Sequence, residues 1–157
     1  MPASTTMPAF RKPGALERAF GRGLLWLVRL GVVRGHFYVL EVRGRKTGRT
    51  LSLPVDPIAV AGARYLVCAR GESQWVRNAR AAGEVALLQA GRRQYFSVRE
   101  VPPPDRPPIL KAYLDTYAAE VQRFFPLPKG AAAPAFAAFA SRYPVFELIP
   151  LSEGNSR

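Results

Sequence analysis

The densest chemistry in this sequence lies in five consecutive residues, Gly44-Arg45-Lys46-Thr47-Gly48. Two cations and a hydroxyl stand between two glycines. Glycine permits positive φ and leaves the backbone N–H groups uncovered. Successive N–H groups in such a turn form a small concavity that binds anions, and Arg45 and Lys46 add charge to it. A phosphate there would meet backbone donors and cations together. The same composition also suits the solvated tip of a β-hairpin, so both readings stay open on spacing alone. The spacing is not that of a P-loop, which needs a longer glycine gap followed by Lys-Ser/Thr. A second group is Trp75 and Asn78, three residues apart in Trp75-Val76-Arg77-Asn78. At helical spacing they share a face with Ala79 and Ala82, and an amide on an inward face requires specific partners. The plainer alternative is a helix side chain that bonds a neighbouring loop.

The elements that must position these residues follow from the hydrophobic pattern. Residues 37–43 and 50–60 read as strands on either side of the basic turn. Pro54 and Pro57 fall inside the second run and mark it as an edge or a bent strand, because proline cannot donate to the ladder. Strands are also expected over 64–69, 84–89, 92–101 and 145–151. Two of the turns are Ala61-Gly62-Ala63 and Ala90-Gly91. Between the third and fourth strands, 74–83 reads as a short helix with Ser73 as N-cap and Gly83 just past its end. Pro107 and Pro108 suit the first turn of a second helix. Its stripe of Ile109, Tyr113, Tyr117, Val121 and Phe124, with Leu110 and Leu114 alongside, faces a core. A small helix is expected over 134–142. The count is about six strands joined mostly as hairpins, which excludes a doubly wound parallel sheet. The expected class is α+β, mainly β: an antiparallel barrel with an N-terminal helix, a short helix between strands three and four, and C-terminal helices.

Residues 1–13 read as a basic leader, 14–151 as one domain and 152–157 as a polar tail. The helix over 16–30 sets Leu16, Phe20, Leu24, Leu27 and Leu30 against Arg18, Arg22 and Arg29. It either packs on its own domain or also touches an anionic membrane surface. It is too short and interrupted to span a membrane, and Arg29 makes it a poor signal peptide. The net charge of +12 over 157 residues implies an anionic partner: nucleic acid, acidic lipid or a polyanionic cofactor. Strand-borne aromatic signatures for RNA and a helix–turn–helix pattern are both missing, which argues against nucleic acid. The single cysteine, Cys68, reads as a buried thiol of a reducing, cytoplasmic compartment. The single histidine, His36, has no companions at ligand spacing, which argues against a metal site.

Together, Gly44-Arg45-Lys46-Thr47-Gly48, Pro54 at the end of the next strand, Trp75-Val76-Arg77-Asn78 and Ala81-Ala82-Gly83-Glu84-Val85 resemble the deazaflavin (F420)-dependent nitroreductase family. The likeness is fullest over 37–101. It implies a split β-barrel related to flavin-binding pyridoxamine-phosphate oxidases. It also implies a groove beside the second strand that holds coenzyme F420, with FMN as the alternative cofactor. On that resemblance Lys46 and Thr47 match the phosphate turn, with Arg45 and Gly48 beside them. Pro54 and Val55 match the stretch along the deazaflavin ring, and Trp75 and Asn78 match the helix that supports the pocket. Where the family reads Pro-Arg after the turn, this chain has Thr50-Leu51, and Arg49 stands as the substitute tail-binding arginine. The implied activity is hydride transfer from F420H2 to hydrophobic, electron-poor quinones, nitro compounds or enones, and a homodimer is compatible with it. The competing reading is a split-barrel protein that binds FMN, haem or a lipid without catalysis.

Overall fold

The two prolines of the second strand decide how the sheet closes. In the computed structural model, which describes residues 37–152, that strand divides into β2 (Thr50–Val55) and β3 (Ile58–Val60). Asp56 and Pro57 form the bend between them. The other strands are β1 (Tyr38–Arg43), β4 (Ala63–Val67), β5 (Glu84–Gln89), β6 (Arg92–Glu100) and β7 (Val145–Pro150). All pair antiparallel in one seven-stranded sheet of order β2-β1-β5-β6-β7-β4-β3. The two edges of the sheet are therefore the two halves of one bent strand. Cα atoms three peptide units apart lie at most about 11 Å apart, so the sheet must curl until its edges nearly meet. The seventh strand is the second expected strand counted twice, since proline interrupts its ladder at the bend. The result is mostly β, a curled antiparallel half-barrel with a few helices.

Side-chain alternation sends one set of residues inward and one outward. Leu40, Val42, Leu66, Val85, Leu87, Phe96, Phe146 and Leu148 fill the concave side, and Val76 and Ala79 of α1 (Gln74–Ala82) close one end. Gly83 ends α1 in the left-handed region at φ 72°, its N–H donating to the Ala79 carbonyl at 2.8 Å. Ser73 occupies the N-cap position, but its hydroxyl caps no backbone donor; it lies 3.4 Å from the buried Cys68 thiol. Val76, rather than the exposed Ala82, completes the buried face of α1.

The convex side of β3, β4 and β7 is covered by α2 (Pro107–Val121), whose first positions are prolines. Ile109, Leu110, Tyr113, Leu114, Tyr117 and Val121 are its buried stripe. The helix stops at Val121, and a 3-10 turn over Gln122–Phe124 follows. The tighter winding of that turn advances the phase, so Phe125 rather than Phe124 is buried, stacked on Tyr143 with ring centroids 4.5 Å apart. Two further 3-10 turns, Ala133–Ala138 and Ala140–Arg142, replace the expected small helix, with Pro134 in the opening turn and Phe136 buried. The Arg106 side chain, 5% exposed, ties these pieces together. Its Nε donates to the Val101 carbonyl at 2.7 Å, and its Nη1 donates to the carbonyls of Ala140 and Tyr143 at 3.1 and 3.2 Å.

The expected leader, the helix over 16–30, His36 and residues 153–157 of the tail lie outside the described residues. Among the described residues no helix is long and apolar enough to cross a membrane.

Candidate functional site

The β1–β2 turn is held from both sides. Gly44 donates to the Arg49 carbonyl at 2.8 Å and Gly48 donates to the Gly44 carbonyl at 2.9 Å. Thr47 Oγ1 accepts the Arg49 N–H at 3.2 Å. Gly48 sits at φ 70°. Gly44 is needed for a different reason: a Cβ there would stand 3.0 Å from Thr47 Oγ1 and 3.1 Å from the Arg49 carbonyl. From the other side α1 reaches the turn through the buried Asn78. Its Oδ1 accepts the Arg45 N–H at 3.2 Å and Arg45 Nη1 at 2.8 Å, and Gln74 Oε1 accepts the same Nη1 at 3.0 Å.

These bonds account for the N–H groups of Gly44, Arg45, Gly48 and Arg49. Among the described residues the N–H groups of Lys46 and Thr47 have no partner, and both residues are exposed. Two adjacent free donors on one exposed turn make a cradle of the kind that can take an anion. The cradle lies on the rim of a groove of about 1190 Å³. The groove runs over the convex face of β1, β2, β5 and β6, its rim closed by Ala81 and Ala82 at the end of α1. Its floor is a cross-strand row in register: Ser52 beside Glu41, Glu41 beside Ala86, Ala86 beside Tyr95. Arg93 pairs with Glu41 through two contacts of 3.0 Å, Nη2 to Oε1 and Nε to Oε2. This pairing raises the Arg93 pKa.

Of the residues singled out in the sequence, the groove gathers Arg45, Lys46, Thr47 and Gly48. Arg49 is exposed but does not line it. Pro54 lies on the convex face one pleat beyond Ser52, and Val55 points to the concave side and packs against the inner core. Trp75 is half-buried against that same core, its ring 5.9 Å from Phe146. Asn78 bears on the site through Arg45. The burial that surrounds Cys68 pushes its thiol pKa up, so it is a poor nucleophile at neutral pH. No cluster of His, Cys, Asp or Glu among the described residues could hold a metal ion.

Sequence reasoning missed Glu41, Ser52, Ala86, Arg93 and Tyr95. Each is unremarkable alone, and the signal that could have found them is the hairpin register. Once Glu41 is placed opposite Ser52, the alternation puts both on the face of the turn.

The sequence matches no family model and no curated protein. Similarity lies in the fold. A protein of unknown function from Agrobacterium tumefaciens superposes with a TM-score of 0.57 at 13% identity over 92% of this chain, which spans 59% of that protein. An F420-H2 dependent reductase (FDR-A) superposes with a TM-score of 0.50 at 18% identity, over 72% of this chain and 93% of its own. A putative pyridoxamine 5′-phosphate oxidase from Listeria innocua does so with a TM-score of 0.50 at 11% identity, over 75% of this chain and 86% of its own. What this chain shares with all three is the curled antiparallel barrel fold.

Proposed function

We propose that this chain binds a phosphorylated flavin-type cofactor in the groove, coenzyme F420 first and FMN as the alternative. On this reading it is an F420H2-dependent reductase of hydrophobic, electron-poor small molecules of the quinone, nitro or enone type. The observation that carries the reading is the pair of free N–H groups at Lys46 and Thr47, on a turn at the rim of the groove that also carries the exposed Lys46 side chain. A phosphate suits this donor set, because charge-assisted N–H bonds to an anion are the strong ones. A lipid would suit it poorly, since the floor carries Glu41, Ser52 and Arg93.

The residues take distinct roles. Lys46 and Thr47 hold the phosphate, Gly44 and Gly48 shape the turn, and Asn78 fixes Arg45 and with it the height of the turn over the groove. Arg49 faces the tail of the cofactor. When bound in reduced form, the cofactor supplies the hydride, and the protein's part is to bind and orient it. A lipophilic substrate, a homodimer and a cytoplasmic location belong to the same proposal.

Absorbance and fluorescence titration of the protein with F420 and with FMN tests it. Saturable binding is expected, and Lys46→Ala should weaken it by about tenfold or more while flattening its salt dependence, since a screened charge contact is lost. Failure to bind either compound, or unchanged affinity of Lys46→Ala at low and moderate salt, would overturn the assignment.

A further inference from the structure

The Glu41–Arg93 pair is more than a surface ion pair. The Glu41 side chain is only 14% exposed, yet its lateral neighbours in the row are Ser52 and Ala86, too short to cover it. The two contacts to Arg93 are parallel, one to each carboxylate oxygen. A fork of this kind fixes both groups in one plane. It uses one lone pair on each oxygen and two of the five guanidinium N–H groups, and Arg93 also interacts with the Tyr95 side chain; lone pairs on Glu41 and N–H groups on Arg93 still remain side by side. With Arg93 half exposed to solvent, the pair contributes only modestly to stability. As a recognition element it is specific: a fixed acceptor beside a fixed donor complements a ligand edge that presents N–H next to C=O.

We propose that Glu41 and Arg93 read the imide edge of the ligand's pyrimidinedione ring, Glu41 accepting the ring N–H and Arg93 donating to an adjoining carbonyl. This rests on the reading of the groove as a flavin-type site and adds the element that selects the ring. The layout supports it. Glu41 and Gly44 are three residues apart along one strand direction, about 10 Å at the rise of a β-strand. A phosphate in the turn and a ring over Glu41 are then separated by room for the sugar-alcohol arm that joins them. The short floor residues Ser52 and Ala86 leave a shelf for a flat ring, and Tyr95, 46% exposed, stands at its far side. The charge logic agrees, because a carboxylate in this groove repels a phosphate and favours only a donor. The ligand is thereby oriented, phosphate to the turn and ring to the pair.

Equilibrium titration with FMN and with its N3-methyl derivative, followed by quenching of ligand fluorescence, is the test. Wild-type protein should bind FMN at least tenfold more tightly than the N3-methyl compound. Glu41→Ala and the near-isosteric Glu41→Gln should lose affinity for FMN and bring the two ligands to within about twofold, a charged hydrogen bond having been removed. Circular dichroism and a urea midpoint for each variant establish that it is folded. If wild type binds both ligands equally, or if the Glu41 variants keep the discrimination, the imide reading is overturned and the groove assignment stands. If wild type binds neither ligand, nor F420, both fall.

Discussion

On the convex face of β3, β4 and β7 the sheet presents Ile58, Val67 and Val145, and α2 lays Ile109, Tyr113 and Tyr117 over them. On the convex face of β1, β2, β5 and β6 the same alternation presents Ser52, Glu41, Ala86 and Tyr95 beside the turn, and the buried Val39 with Pro54 and Leu88 one pleat further from it. The strands are continuous with one another and obey one pleat, so the backbone does not distinguish the two regions. Side-chain chemistry does. Large apolar residues demand a cover, which α2 and the 3-10 turns supply with packed aromatic rings at centroid spacings of 4.5 to 6.3 Å. Small and polar residues make no such demand and leave a groove. The aromatic packing is therefore concentrated under α2, whereas the groove beside the turn is lined by charged, polar and small side chains.

That separation can be broken most sharply at Arg106. Its guanidinium serves three buried carbonyls, and burial lowers its pKa more than Glu100 raises it. Arg106→Leu should strand those carbonyls and cost roughly 3–5 kcal/mol in urea unfolding, with poor expression at 37 °C. A loss under about 1 kcal/mol would show that water replaces the side chain there.

A paired truncation sharpens the contrast. Leu114→Ala, at a fully buried position of α2, should cost about 2–5 kcal/mol. Tyr95→Ala on the groove face should cost less than about 1 kcal/mol while altering ligand titrations. Comparable losses at the two sites would mean that the groove floor also carries the fold.

The smallest effect concerns pH. Arg80 bridges Glu72 and Glu100 at 3.0 and 2.7 Å beside α1. Hydrogen bonding from Arg80 holds the Glu72 pKa below its ordinary value of 4.5. A group depressed in the folded state adds stability that is present above its unfolded pKa and is lost as pH falls through the folded one. Stability should thus decline below about pH 4.5, and Glu72→Gln should make part of that acid limb flatter. Both groups are well over a third exposed, so the change should stay under about 1 kcal/mol. An identical acid limb in the variant would assign the dependence to other carboxylates.

Much of this architecture was legible from local pattern. The hairpins at Ala61-Gly62 and Ala90-Gly91 form as expected, with both residues of each pair at positive φ. The prolines at 107 and 108 open α2, and Gly83 closes α1. What pattern could not give was phase and register. Phe125 displaced Phe124 because one turn wound as a 3-10 helix, which brings Phe125 onto Tyr143. The turn with the unbonded N–H groups of Lys46 and Thr47 was visible as a glycine-bracketed stretch. The groove floor was not, because Glu41, Ala86 and Arg93 come from three strands and meet only after β1, β5 and β6 align.

The bend at Asp56 and Pro57 carries a topological consequence. The Pro57 carbonyl accepts the Tyr117 hydroxyl at 2.7 Å, so α2 grips the bend. Among the described residues the edges β2 and β3 share no ladder, and residues 56–57 join them through the covalent chain. That link works as a clasp. Cleaving the Ala90-Gly91 turn would leave β5 and β6 hydrogen-bonded to each other and to neighbours on their far sides. Cleaving at residues 56–57 would release the two edges from each other and let the closed loop open into a ribbon, each border a template for another chain. Circular permutants that begin at residue 91 should keep the ring, whereas those that begin at residue 57 surrender it.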